Sequence, residues 1–135
     1  MKKSIRVVAA VIEEGGRYLI TQRRASGVLP LLWEFCGGKV EPGETDPGAL
    51  RREIRERLDV NLEVGALISF VRHSYETYDV ELYLYECHLL DRDLRKLGVA
   101  DWRWVKSDEF GQFPFTPADQ ASMDKLLGID GGRAP

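Results

Sequence analysis

Gly37-Gly38-Lys39-Val40-Glu41-Pro42-Gly43-Glu44-Thr45-Asp46-Pro47-Gly48-Ala49-Leu50-Arg51-Arg52-Glu53-Ile54-Arg55-Glu56-Arg57-Leu58-Asp59-Val60 changes character halfway along. From Glu41 to Asp46 it has turn chemistry, which predicts a loop. From Pro47 onward Ala49, Leu50, Ile54 and Leu58 recur at helical spacing, and proline suits a first helical position, so a helix is predicted from about Pro47 to Leu58. Residues three apart on a helix share a face. Glu53 and Glu56 therefore project together, and the loop brings Glu44 near the helix start. Three carboxylates so placed are a candidate cage for a hard cation, since Mg²⁺ takes a few carboxylates together with water and substrate phosphate oxygens. Gly37 and Gly38 let the backbone approach a ligand closely. On these residues alone a second reading stays open: Glu53 and Glu56 as the solvated face of a charged helix, surrounded by Arg51, Arg52, Arg55 and Arg57.

Upstream, Ile5 to Ile12 is rich in β-branched residues and stops at Glu13-Glu14-Gly15-Gly16, after which Tyr18 to Gln22 begins a second apolar run. This reads as a hairpin. Trp33 to Val40 reads as a short extended segment ending in two glycines. Downstream, Val64 to Val71, Val80 to Leu90 and Trp102 to Val105 read as strands. Thr116-Pro117-Ala118-Asp119 opens a final helix carrying Met123, Leu126 and Leu127, with Gly128 as its stop. The order predicts a mixed sheet with helices packed on it, an α/β or α+β layered fold. One domain is expected over residues 1–130, with 131–135 as a disordered tail.

The composition agrees with one core. The chain has 135 residues, 44% hydrophobic and 30% charged, close to an ordinary globular mixture. Nineteen basic against 22 acidic residues leave a formal charge of −3. That balance gives no global attraction to DNA or to an anionic membrane, so an anionic ligand needs a local site. The basic start is followed by an apolar run too short for a signal peptide or spanning helix, so the expected setting is cytoplasmic. Cys36 and Cys87 are too few for a disulfide framework and lack zinc-site spacing. Both are expected to be reduced, packed thiols.

The full spacing from Gly38 through Glu44, Arg52-Glu53-Ile54 and Glu56 to Val60 resembles the Nudix box, Gly-x5-Glu-x7-Arg-Glu-U-x-Glu-Glu-x-Gly-U with U apolar. Trp33-Glu34-Phe35-x-Gly37-Gly38-Lys39 and Gly43-Glu44-Thr45 also look like that family. The N-terminal hairpin, Trp104-Val105 and Pro117-Ala118-Asp119 resemble its MutT-type branch. The resemblance implies a Nudix fold, a mixed central β-sheet sandwiched between helices. It also implies a Mg²⁺ or Mn²⁺ requirement and hydrolysis of a nucleoside triphosphate such as 8-oxo-dGTP to monophosphate and pyrophosphate. Two rival readings accompany it: a Nudix-fold nucleotide-binding module with weakened hydrolysis, and a pyrophosphohydrolase for CTP-type pyrimidine triphosphates. The expected partner is a small nucleotide, bound by a monomer or homodimer. Carried over, Glu53 and Glu56 are metal ligands, with Glu53 also orienting or deprotonating water, and Gly38 supplies a backbone carbonyl. Arg52 holds the carboxylates by ion pairing and Glu44 anchors that arrangement. Arg23 matches a phosphate-contacting position, and Phe35 and Tyr78 match stacking or edge contacts to the base.

Four positions depart from the pattern. Arg57 stands where the box has a second adjacent glutamate, replacing a ligand by a like charge at a cation site, and is placed to pair with Glu53 four residues earlier. Gly98 stands in a run where the branch commonly has an acidic residue, and Asp101 is displaced from it. Asp59 replaces a glycine near the helix end, and Cys36 a proline. The base-reading asparagine of the branch corresponds here to Asp119. An ionised carboxylate only accepts hydrogen bonds, which favours the amino group of cytosine or adenine, or N7–H of an 8-oxo-purine, over unmodified guanine. The alternative for Asp119 is a helix cap.

Overall fold

The computed structural model describes residues 2–127. Its first strand, β1 (Lys3–Val11), explains why the N-terminal apolar run does not alternate: both faces are buried. Val8, Ala10 and the following Ile12 face Ala49, Leu50, Ile54 and Leu58 of helix α1 (Asp46–Leu58). Ala9 and Val11 face the opposite layer, which includes Ala118 and Met123 of helix α2 (Pro117–Leu127). Side chains one residue apart on a strand thus serve two separate cores. The sheet is sandwiched between helices, as expected.

The order in this sheet is β5-β1-β7-β6, with β5 (Gly37–Lys39) antiparallel to β1, β7 (Tyr78–Leu89) parallel to β1, and β6 (Leu62–Ser74) antiparallel to β7 at the edge. A second, antiparallel sheet is built on β3 (Arg17–Gln22). Strand β8 (Asp101–Val105) lies along one edge of β3, and the short β2 (Glu13–Glu14) and β4 (Trp33–Glu34) follow one another on the other. A 3-10 helix, Ser107–Gln112, caps this sheet through Phe110.

Two expectations are corrected. The predicted hairpin exists only at its tip, where β2 meets β3 through Gly15 and Gly16, both at positive φ; β1 continues into the other sheet. Trp33 to Val40 is likewise two strands in two sheets, joined by Phe35 and Cys36. This crossover brings the two sheets together. Gly37 makes it possible, since a Cβ there would lie 1.9 Å from the Val8 carbonyl oxygen. The predicted strands 64–71 and 80–90 are longer than expected or shifted at one end, and the 3-10 helix was not foreseen. Leu126 and Leu127 lie in α2 as expected, while Gly128 and residues 131–135 lie outside the described residues. Among the described residues no helix is long and apolar enough to cross a membrane.

Helix α1 starts where Thr45 accepts a hydrogen bond from the Gly48 amide at 3.1 Å, and Arg6 grips Asp46 with two bonds of 2.9 and 2.7 Å. It ends at Asp59, which takes a left-handed φ of 59° so that its amide reaches the Arg55 carbonyl at 3.0 Å. Glycine adopts this conformation without steric cost. Asp59→Gly is therefore expected to raise stability by about 0.5–1 kcal/mol, read as a higher urea midpoint at unchanged slope.

Candidate active site

Helix α1 presents Arg52, Glu53, Glu56 and Arg57 toward the crossover, and Arg52 organises the group. Its Nε and Nη2 donate to the two oxygens of Glu44 at 2.6 and 2.9 Å, a bidentate pair. Nη1 donates to Glu53 Oε2 at 3.1 Å and to Glu56 Oε1 at 3.2 Å, and Nη2 also reaches the Lys39 carbonyl at 3.0 Å. Glu44 is held from its own loop by the Glu41 amide at 2.9 Å. The hydrogen bonds from Arg52 draw the Glu44 carboxyl down to about 2. The predicted quartet Glu44, Arg52, Glu53 and Glu56 is thus one connected network.

Glu53 is buried beside the backbone of Gly38. A Cβ at Gly38 would lie 2.2 Å from the Glu53 carboxyl carbon, so any larger residue there would displace this carboxylate from its present position. The other Glu53 oxygen accepts from Arg57 Nε at 2.8 Å. Arg57 points inward, with Nη1 3.9 Å from Glu34 Oε2. Gly98 packs against it: a Cβ there would sit 3.2 Å from the Arg57 Cα, and the Leu97 and Gly98 amides both donate to the Arg57 carbonyl. The two departures at 57 and 98 are therefore in contact. Asp101 is turned away, paired with Lys96 and Arg103 at 3.1 Å each.

A cavity of about 530 Å³ opens between the sheets, with Glu53 and Arg57 at one side and Asp119, Tyr75 and Tyr78 among its other lining residues. Arg23 also lines it, donating from Nη1 to Glu34 at 3.1 Å and from Nε to the Val28 carbonyl at 2.9 Å. Phe35 is almost wholly buried, its ring edge-on to Phe110, so its side chain belongs mainly to the core. Tyr78 stacks on Tyr75, with centroids 5.0 Å apart. Tyr75 and Glu34 were not singled out from sequence. Glu34 lay within the quoted Trp-Glu-Phe stretch, but its partners, Arg23 and Arg57, come from two other elements. Burial pushes Glu34 upward against the pull of both arginines.

The side chain of Asp119 does not cap the helix. Its Oδ1 accepts from the Phe35 amide at 3.0 Å and its Oδ2 from the Thr116 hydroxyl at 2.7 Å, while Thr116 Oγ1 accepts the Asp119 amide at 3.2 Å. Thr116 supplies the cap, and Asp119 ties α2 to the crossover. Burial, then the nearby Glu34 charge, push Asp119 up to about 7. Cys36 and Cys87 are free and buried, and burial raises both thiols to about 12.

Among the described residues no three His, Cys, Asp or Glu side chains converge as a complete metal cage. Glu53 and Glu56, with the adjoining Gly38 backbone, form a partial set that fits one hard cation when water and phosphate oxygens complete it.

The NUDIX domain family matches residues 7–125. The chain is 35% identical to a CTP pyrophosphohydrolase of Escherichia coli, covering 97% of both sequences. It is 30% identical to the nucleoside triphosphatase NudI of Salmonella arizonae, covering 91% of this chain and 96% of that one. The solution structure of the E. coli ORF135 protein superposes with a TM-score of 0.78 at 34% identity, covering 98% of this chain and 94% of that one.

Because Asp119 binds its proton more tightly folded than unfolded, its ionisation opposes folding. The native advantage is complete below the ordinary value of 3.8 and is lost as pH rises through about 7. Relative to Asp119→Asn, the unmodified protein is expected to lose stability between pH 4 and pH 7, measured by urea unfolding across that range.

Proposed function

This chain belongs to the Nudix family, and we propose that it is a nucleoside triphosphate pyrophosphohydrolase preferring a cytosine-type pyrimidine triphosphate. One observation carries the reading: a single cavity joins the Glu53–Arg57 end of the charged network to a carboxylate, Asp119, suited to a base amino group. The similarity to a CTP pyrophosphohydrolase along nearly the whole chain supports the same base. It gives the pyrimidine reading more support than 8-oxo-dGTP, the first expectation from the motifs.

The roles follow from charge and position. In its ionised form, above about pH 7, Asp119 has lone pairs beyond those engaged by Phe35 and Thr116 and accepts from the exocyclic amino group, while guanine offers an oxygen where a donor is needed. Tyr78 and Tyr75 bound the base region, with the Phe35 ring behind them in the core. Arg23 faces the phosphates. Glu53 and Glu56, with the Gly38 carbonyl, would hold Mg²⁺ or Mn²⁺; the Glu53 carboxylate held against Gly38 supports that set. The ion, when bound, neutralises phosphate charge and lowers the pKa of water. Glu53, fixed by Arg52 and Arg57, accepts a hydrogen bond from the attacking water. The water oxygen bonds to the α-phosphorus as its proton passes to Glu53 and on to solvent, the bond from that phosphorus to the α–β bridging oxygen breaks, and monophosphate and pyrophosphate leave. Arg52 positions both carboxylates and Glu44 positions Arg52. Two buried thiols and a nucleotide substrate support a cytoplasmic setting, with one domain spanning residues 1–130. A second reading, a nucleotide-binding module with weakened hydrolysis, is favoured by the Arg57–Glu53 hydrogen bond, which occupies an oxygen the cation would use.

Pyrophosphate release from CTP, dCTP, dGTP and 8-oxo-dGTP with Mg²⁺ or Mn²⁺ tests these readings. CTP or dCTP is expected to exceed both purines at least tenfold in kcat/KM, and Glu53→Gln to lower kcat by about 10²–10⁴-fold. Preference for 8-oxo-dGTP would overturn the base assignment. Nucleotide binding with no turnover of any substrate would leave the binding module.

A further inference from the structure

Arg57 lies on the wall shared by two cavities. The larger contains Asp119 and the tyrosines; the smaller, about 340 Å³, is lined by Arg23, Arg24 and Arg57 together with Glu53 and Glu56, of which Glu53 is bonded to Arg57. Positive charge is in excess in the smaller cavity. Its chemistry matches an anion rather than a base.

The geometry of Arg57 shows how it would serve such an anion. Among the described residues its side chain makes one hydrogen bond, from Nε to Glu53, and Nη1 is too far from Glu34 to bond it. Both terminal nitrogens therefore keep donors for a ligand, while Nε fixes the plane of the group. The Nε–Glu53 bond of 2.8 Å holds the guanidinium in place, and Gly98, whose amide donates to the Arg57 carbonyl, leaves the room beside Cα and Cγ that a Cβ would crowd at 3.2–3.3 Å. A planar guanidinium held in this way suits paired phosphate oxygens.

We infer that the smaller cavity is a phosphate-tail subsite in which Arg57, with Arg23 and Arg24, binds the terminal pyrophosphate group of the substrate directly, without a divalent cation. Arg57 supplies permanently a positive charge that a site of carboxylates obtains only from bound metal, so the residue that removes a metal ligand replaces part of the metal's function. The inference rests on the nucleotide reading of this site.

The experiment is calorimetric titration of the full chain in EDTA with inorganic pyrophosphate, and NMR titration with cytidine, which has no phosphate. The unmodified protein is expected to bind pyrophosphate in EDTA, Arg57→Gln to bind it at least tenfold more weakly, and Arg57→Lys to fall between them. Cytidine affinity is expected to change less than twofold in either variant. Pyrophosphate binding only after Mg²⁺ is added, or equal binding by Arg57→Gln, would overturn the inference, as would parallel loss of cytidine and pyrophosphate binding, the sign of a purely structural role. Arg57→Lys keeps the charge and guards against a folding defect in the glutamine variant. Failure of cytidine to bind the unmodified protein, with pyrophosphate still bound through Arg57, would remove the base assignment and leave the phosphate subsite standing.

Discussion

The guanidinium of Arg52 joins the loop before α1 to the helix itself: Glu44 and the Lys39 carbonyl on one side, Glu53 and Glu56 on the other. Without that central positive charge, three carboxylates would face one another across a short span and repel. Charge-assisted, bidentate hydrogen bonds are stronger and more directional than neutral ones, so the same contact that relieves repulsion also sets where each carboxylate points. The network is only partly buried, and its main contribution is orientation rather than stability.

Glycine supplies the second constraint. At Gly37 the crossing chain touches β1, and at Gly38 it leaves a space occupied by the Glu53 carboxylate. The two-sheet crossover, the buried helix face and the charged network therefore meet at two adjacent residues. From there the charge is sorted by place. Asp119 lies deep among aromatic and apolar groups, where burial raises its pKa, and Arg24 joins Arg23 and Arg57, which line both cavities, at the smaller one. A nucleotide has the same division, an uncharged base and a polyanionic tail.

Parts of this were legible in the chain because they depend on near neighbours in sequence. The helix from Pro47 to Leu58, its proline start and the shared face of Glu53 and Glu56 are matters of local spacing, and α1 begins within one residue of that reading. The hairpin and the Trp33–Val40 segment were misread for a common reason. An apolar run identifies a strand but not its partner, and here consecutive strands part into different sheets. Glu34 lay within the quoted Trp-Glu-Phe stretch but Tyr75 carried no periodic or motif signal, and their surroundings, Arg23 and Arg57 about Glu34 and the Ala118 amide on the Tyr75 hydroxyl, come from other elements.

The sequence by itself determined the family, the layered α/β class, the carboxylate spacing of α1 and the unusual residues at positions 57 and 98, because each is a property of residue identity at short or fixed intervals. The i, i+4 pairing of Arg57 with Glu53 was also legible in the helix spacing, whereas tertiary structure alone decided that Gly98 packs beside Arg57, that Asp119 is buried against Phe35 and that the two cavities share a wall. These are contacts between elements far apart in the chain, fixed by which faces pack together, and local pattern does not encode them.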